Sequence, residues 1–335
     1  MRLATYNTEW FNTLFHDDGT LDSREVWSAR WNITRRRQIG ALGAVFTALD
    51  ADMVMVIEAP DDSPRRSTVR ALQTFAAAFG LRARKALIGF ANHTQQEIAL
   101  LYDPDVVSAR HAPEGDDTAA NPRFDRAWAY DTDLDTAPDM IAWSKPPLEV
   151  AVTPRDGAPF RLIGVHAKSK AAHGATSHAQ AMRIAIQNRR KQLAQCIWLR
   201  RRVDDVLARS EPLIVLGDFN DGPGLDDYEQ LFGRSGVELV LGEPGPGQLH
   251  DPHARQALGQ RLAAMPTTAR FHVQGGPYLQ ALLDYIMVSP DIAARSPRWQ
   301  IWHPFDNPAC YDNVDLREAL LDASDHFPVT IDWQP

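Results

Sequence analysis

The chain has 335 residues, of which 44% are hydrophobic and 23% charged, and a formal net charge of −8. That length and apolar fraction allow a sizeable buried core, and the acidic balance excludes a protein that coats nucleic acid by bulk positive charge. Two cysteines, Cys196 and Cys310, are too few for a disulfide scaffold and read as reduced thiols; no apolar run reaches membrane-span length, so a cytoplasmic protein is expected.

In chain order, Leu3 to Thr8 predicts a first strand carrying Asn7 at its end. Arg24 to Leu49 has helical spacing, with Trp27, Trp31, Ile39, Leu42, Val45 and Phe46 on one stripe. Asp52 to Glu58 (DMVMVIE) predicts a buried strand ending in a carboxylate and stopped by Pro60. Ser67 to Phe79 predicts a second helix, and Glu97 to Tyr102 and Leu148 to Val152 further strands. Phe160 to His166 (FRLIGVH) is a strand ending in histidine, and His178 to Leu207 a long amphipathic helix. Leu213 to Gly217 runs straight into Asp218, Phe219, Asn220 and Asp221; Leu282 to Val288 (LLDYIMV) and Phe327 to Trp333 complete the strands. Arg110 to Asp139 and Gly242 to Gln260 lack periodicity and read as long surface loops. With no internal repeat or flexible linker, residues 1–335 read as one domain of mixed strands and helices.

Asn7, Glu58, His166, Asp218 with Asn220, and Asp284 lie in or at the ends of apolar strands, and Asp325–His326 immediately precedes the last one. A packed sheet gathers strand ends, so distant residues can share one cleft. Carboxylate and amide oxygens are hard ligands, the preference of Mg²⁺ or Mn²⁺. No Cys–His spacing suits zinc, and no phosphate-binding Gly-Lys loop is present. A hard cation with two histidines can polarise a phosphoryl oxygen, orient water and stabilise a leaving oxygen.

In this order, TYNTEW, MVIEAP, GVHAKSK, LGDFND, LLDYIMV and ASDHFPV resemble the endonuclease/exonuclease/phosphatase superfamily, which includes deoxyribonuclease I, abasic-site endonucleases, neutral sphingomyelinases and inositol 5-phosphatases. QEIALLYD and SKPPLEV also fit its central strands, so the resemblance runs from residue 3 to residue 333. It implies a four-layer α/β sandwich, two packed mixed sheets flanked by helices, with the site at one rim. It implies that Glu58 holds the cation with help from Asn7 and Asp325. Asp218 would position or deprotonate the attacking water, and Asn220 would hold a phosphate oxygen or Asp218 itself. His326, oriented by Asp284, and His166 would contact the phosphate from two sides. QALLDYI departs from the PAWCDRI stretch of the 5-phosphatases, and HAKSK most resembles bacterial nucleases and phosphodiesterases.

Lys168 and Lys170, just after His166, are the expected substrate contacts, and Trp10 a candidate for stacking on a base. Arg35–Arg37, Arg189–Lys191 and Arg200–Arg202 read either as a nucleic-acid surface or as solvated helix faces. His250, Asp251 and His253 in a Gly/Pro loop are a less favoured second metal site. The expectation is a Mg²⁺- or Mn²⁺-dependent phosphoesterase, foremost a nuclease acting on DNA or RNA. The alternatives are an enzyme acting on a small or lipid phosphate (nucleotide, sugar phosphate, sphingomyelin-like) and a catalytically silent binding module; no obligate protein partner is evident.

Overall fold

A computed structural model describes residues 1–116, 118, 121–131, 139–171, 174–222, 233–259, 265–272 and 276–335. Parts of the two aperiodic regions, His173, and Pro223 and Gly224, which follow the LGDFND stretch and Gly222, lie outside them.

A six-stranded sheet runs in the order β14 (Arg298–Ile301), β15 (Val329–Asp332), β1 (Arg2–Asn7), β2 (Met53–Ala59), β4 (Glu97–Tyr102), β3 (Lys85–Ile88). A five-stranded sheet runs β13 (Asp284–Val288), β10 (Leu213–Asp218), β9 (Phe160–His166), β8 (Leu148–Pro154), β5 (Val107–His111). Both mix parallel and antiparallel pairs: β1–β2 and β9–β10 are parallel, and their neighbours antiparallel.

Strand alternation sorts the side chains into three cores. Leu3, Met53, Met55 and Ile57 of one sheet meet Leu162, Ile214, Leu216, Ile286 and Val288 of the other. The intervening residues Ala4, Tyr6, Val54 and Val56 turn outward onto helices α1 (Arg35–Leu49), α2 (Thr68–Ala78) and α6 (Val314–Ala323). Ile163, Val165, Leu213, Val215 and Met287 turn onto α3 (His178–Ala208), α4 (Gly236–Leu241) and α5 (Pro252–Gly259). Each fully buried aliphatic side chain contributes roughly 1.5–3 kcal/mol. The result is two packed sheets with helices outside. Among the described residues no helix is long and apolar enough to cross a membrane.

Three expectations need correction. The first helix begins at Arg35, not Arg24: Thr34 caps it by accepting from Arg37 N, and Asn32 is left-handed at φ 59°. Trp27 and Trp31 are therefore 66% and 59% exposed rather than on a buried stripe. The two aperiodic regions also hold structure. Ala127–Tyr130 (β6) pairs with Asp139–Ala142 (β7), and α5 lies in the second region. A further hairpin joins β11 (Ala269–His272) to β12 (Tyr278–Ala281). The basic clusters divide: Arg189 and Arg202 are buried and pair with Asp221 and Glu149 respectively, so neither reading offered for their triplets covers them.

Candidate active site

Three of the strand-end residues form one row. Asp218 is the register partner of His166 on β9 and of Asp284 on β13. All three continue the alternation of the inter-sheet core rows Leu162–Gly164, Ile214–Leu216 and Ile286–Val288. The row is thus the polar end of the apolar seam between the sheets.

Asn7 ends β1 on the face of Leu3, toward the same seam. Glu58 would by alternation follow Val54 and Val56 toward the helices. A β-bulge between Ile57 and Ala59, with Glu58 at φ +60°, breaks the register, and bulges commonly re-aim a side chain at a site. Glu9 (φ 46°), Trp10 (φ 58°) and Asn220 (φ 49°) are also left-handed. Such conformations cost about 1–3 kcal/mol each in non-glycine residues and cluster at functional sites.

Asp218 is the centre of the hydrogen bonding. Its Oδ1 accepts from Asn220 N at 2.7 Å, and its Oδ2 from Asn7 Nδ2 at 3.0 Å and Asn220 Nδ2 at 3.3 Å. That Oδ2 lies 3.7 Å from His166 Nε2 and 4.0 Å from His326 Nε2. His166 Nε2 is also 4.0 Å from Glu58 Oε1. His326 Nδ1 lies 2.7 Å from Asp284 Oδ2, and its Nε2 is 4.0 Å from Asp325 Oδ1. Trp10 N donates to Glu58 Oε2 at 2.8 Å. Ligand atoms of Asp218, Asp284 and His326 all lie within 4.8 Å of one another, a spacing a cation can bridge.

The two histidines are driven apart electrostatically. Burial, then the charges of Lys145 and His326, hold His166 well below its ordinary pKa, so it is neutral. Burial opposes charge on His326 too, but Asp284 and Asp218 outweigh it and keep the imidazole protonated. Burial pushes Asp218 up to about 7 against the pull of His326. Burial and the negative charge of Glu9 push Asp325 up to about 8, and burial raises Glu58. In all three carboxylates burial is the main cause of the rise, and a bound cation would favour their ionised forms.

The remaining expected residues sit as follows. Lys168 is half-buried, its backbone N–H donating to Gln195 Oε1. Trp10 is 42% exposed at the rim. Lys170, expected at the substrate, has Nζ 2.6 Å from Asp221 Oδ1 and a side chain only 13% exposed. The acid explains the turn. Asp221 has no exposed surface, and it also pairs with Arg189 and accepts from Gly236 N at the start of α4. The two carboxylates of GDFND thus face opposite ways, Asp218 to the site and Asp221 to the helices. Gln192 completes this support, donating from Nε2 to the carbonyls of Lys168, Phe219 and Asn220. Asp251 likewise serves structure: it accepts from His253 N, Ala254 N and Ile286 N.

One cation was not anticipated. Lys145, from SKPP before β8, places Nζ 3.5 Å from His166 Nε2, and burial lowers its pKa despite Glu58 and Asp218. A basic residue followed by two prolines at a strand entry was the available signal.

Two mixed sheets packed face to face under helices, with buried carboxylates and histidines at one rim, define the deoxyribonuclease I-like class of α/β sandwich. The chain belongs to the Endonuclease/Exonuclease/phosphatase family, whose model matches residues 4–326. These are metal-dependent phosphoester hydrolases. Among solved structures, a 3′ phosphatase from Neisseria, NExo, bound to a product DNA hairpin is 16% identical at TM-score 0.52, with both chains fully covered. TDP2 from C. elegans is 14% identical at TM-score 0.52, covering 98% of this chain and 74% of its own. At such identity the likeness is one of fold. No curated protein matches the chain.

Proposed function

We propose that the protein is a Mg²⁺- or Mn²⁺-dependent phosphodiesterase that cleaves DNA or RNA by in-line attack of water. The observation carrying this is Asp218 Oδ2 set between a neutral and a charged histidine, 3.7 Å and 4.0 Å away. Pairs of titratable groups pushed apart in this way assign base-like and acid-like roles.

Glu58, Asn7 and Asp325 would hold the cation, an all-oxygen set that suits a hard ion. Bound there, it would neutralise phosphate charge and polarise a phosphoryl oxygen. Asp284 is engaged with His326 and reads as its orienter, so the Asp218–Asp284–His326 group is not the first choice for the ion. Asp218, fixed by Asn7 and Asn220, orients water and takes its proton. His326 donates from Nε2 to a phosphoryl oxygen, since Nδ1 is committed to Asp284. Neutral His166 and Lys145 cover the phosphate from the opposite side. Lys168 and Trp10 border the strand, and Lys170 acts as a positioning residue through Asp221. Residues 1–335 serve in this reading as one domain.

The test is hydrolysis of labelled single- and double-stranded DNA and RNA by purified protein with Mn²⁺ or Mg²⁺. Cleavage abolished by chelation is expected. Intact nucleic acids beside phosphate release from a small monoester would overturn the nuclease reading.

A further inference from the structure

The cleft next to the site has an aromatic wall that the chemistry so far leaves unused. It is about 460 Å³, and its lining includes Glu9 and Asp325 together with Trp31, Arg270, His272 and Tyr278. Pockets of this size hold nucleotide-sized ligands. Trp31 and His272 stack at 3.9 Å and 7° between planes, and Tyr278 meets His272 edge-on at 5.4 Å. The Arg270 guanidinium lies 3.5 Å from the Tyr278 ring centre. Trp31 and Tyr278 remain 59% and 42% exposed.

These rings are held in place. Arg30 Nη1 binds Glu9 Oε2 at 2.5 Å, and the same oxygen accepts from Asp325 N at 2.8 Å. The segment bearing Trp31 is thus tied to the loop bearing His326 through one carboxylate. From the other flank, Arg270 N donates to Asp325 O at 2.7 Å and Phe271 meets the His326 ring edge-on at 5.6 Å. An indole kept in water on a fixed frame forgoes its own burial energy. A flat π-face ligand would recover it.

We infer that Trp31, with His272, Tyr278 and Arg270, forms a nucleobase subsite that stacks one base of the substrate strand beside the scissile phosphate. This rests on the phosphodiesterase reading and adds to it the place where a base of the strand is held. The ring faces supply sequence-tolerant stacking, and Arg270 supplies donors to base-edge acceptors. A lipid tail fits poorly, because Arg30, Arg37 and Asp322 also line the cleft.

The test compares thymidine 5′-(p-nitrophenyl phosphate) with methyl p-nitrophenyl phosphate, two diesters with the same leaving group, of which only the first carries a nucleoside. The ratio of their kcat/KM values should fall about tenfold in Trp31→Ala and be largely restored in Trp31→Phe. An unchanged ratio would overturn the subsite. Calorimetric titration with single-stranded oligothymidylate needs no turnover. Its Kd should rise about tenfold in Trp31→Ala, and equal Kd values would likewise overturn the inference. If wild type binds the oligonucleotide through Trp31 but hydrolyses neither ester, the subsite stands and the phosphodiesterase reading fails.

Discussion

Asp284 Oδ2 and His326 Nδ1 are 2.7 Å apart, and both side chains are buried. Thr268 Oγ1 fixes the acid's backbone by accepting from Leu283 N and Asp284 N at 2.9 Å each. The pair should act as a unit. His326→Ala should lower turnover about 10²–10⁴-fold, and Asp284→Asn less. The double variant should cost little more than His326→Ala alone. Strictly additive losses in a double-mutant cycle, with circular dichroism confirming folding, would separate the two residues.

The same pair sets a pH limit. His326 is held charged, so its donor form persists as pH rises above the ordinary histidine range. Asp284→Asn removes one of the two charges that outweigh burial, so the imidazole deprotonates earlier. The alkaline limb of the pH–rate profile should move to lower pH. A limb that stays in place would show that His326 is not the donor.

Glu58→Gln tests the cation. Burial raises this carboxyl above its unfolded value, so its ionisation disfavours the folded state as pH rises through that range. The amide removes that penalty and keeps an acceptor for Trp10 N. The variant should melt no lower than wild type at neutral pH, lose most turnover, and lose most of the Tm rise that Mn²⁺ gives wild type. An undiminished Mn²⁺-induced rise would place the ion elsewhere.

Lys145→Met should reduce kcat by roughly 10²-fold, the effect of losing one oriented donor to a reacting oxygen. It should also raise the pKa of His166, because the Lys145 charge is one cause of its depression. Histidine titration by NMR reads this directly. An unmoved His166 signal would remove Lys145 from the site.

Two glycines should respond with opposite signs. At Gly217 (φ +137°) an added Cβ would lie 2.0 Å from Val165 O, so Gly217→Ala should lose about 3 kcal/mol or more in urea unfolding. Gly40, on the exposed side of α1, has nothing within 4 Å, so Gly40→Ala should gain about 0.5–1 kcal/mol. Equal responses would contradict the close approach of β10 to β9 at Gly217, one residue ahead of Asp218.

The gathering of polar strand ends is legible in the sequence because strand alternation has period two. His166, Asp218 and Asp284 fall in phase with Leu162, Leu216 and Ile286, so one buried face carries them all. Glu58 is out of phase, and only the bulge turns it inward, a backbone event its neighbours do not announce. Trp27 and Trp31 imitate helical spacing, although Thr34 carried a cap signal three residues later. Arg189 and Arg202 resemble surface charge because their partners Asp221 and Glu149 are 32 and 53 residues away. The missed strands are four or five residues long, too short for alternation to register.

The bulge and the cross-strand row belong to different sheets, and this makes the centre a joint. Glu58 and Asn7 ride on one slab, while His166, Asp218 and Asp284 ride on the other. Met55, wedged against Gly164, is one of the contacts that set how the slabs are spaced. A slippage of an ångström between them would leave every strand intact and still pull the reacting groups out of reach of one another. Turnover therefore gauges the alignment of the two slabs, and under mild denaturant it should vanish while strand content is still full.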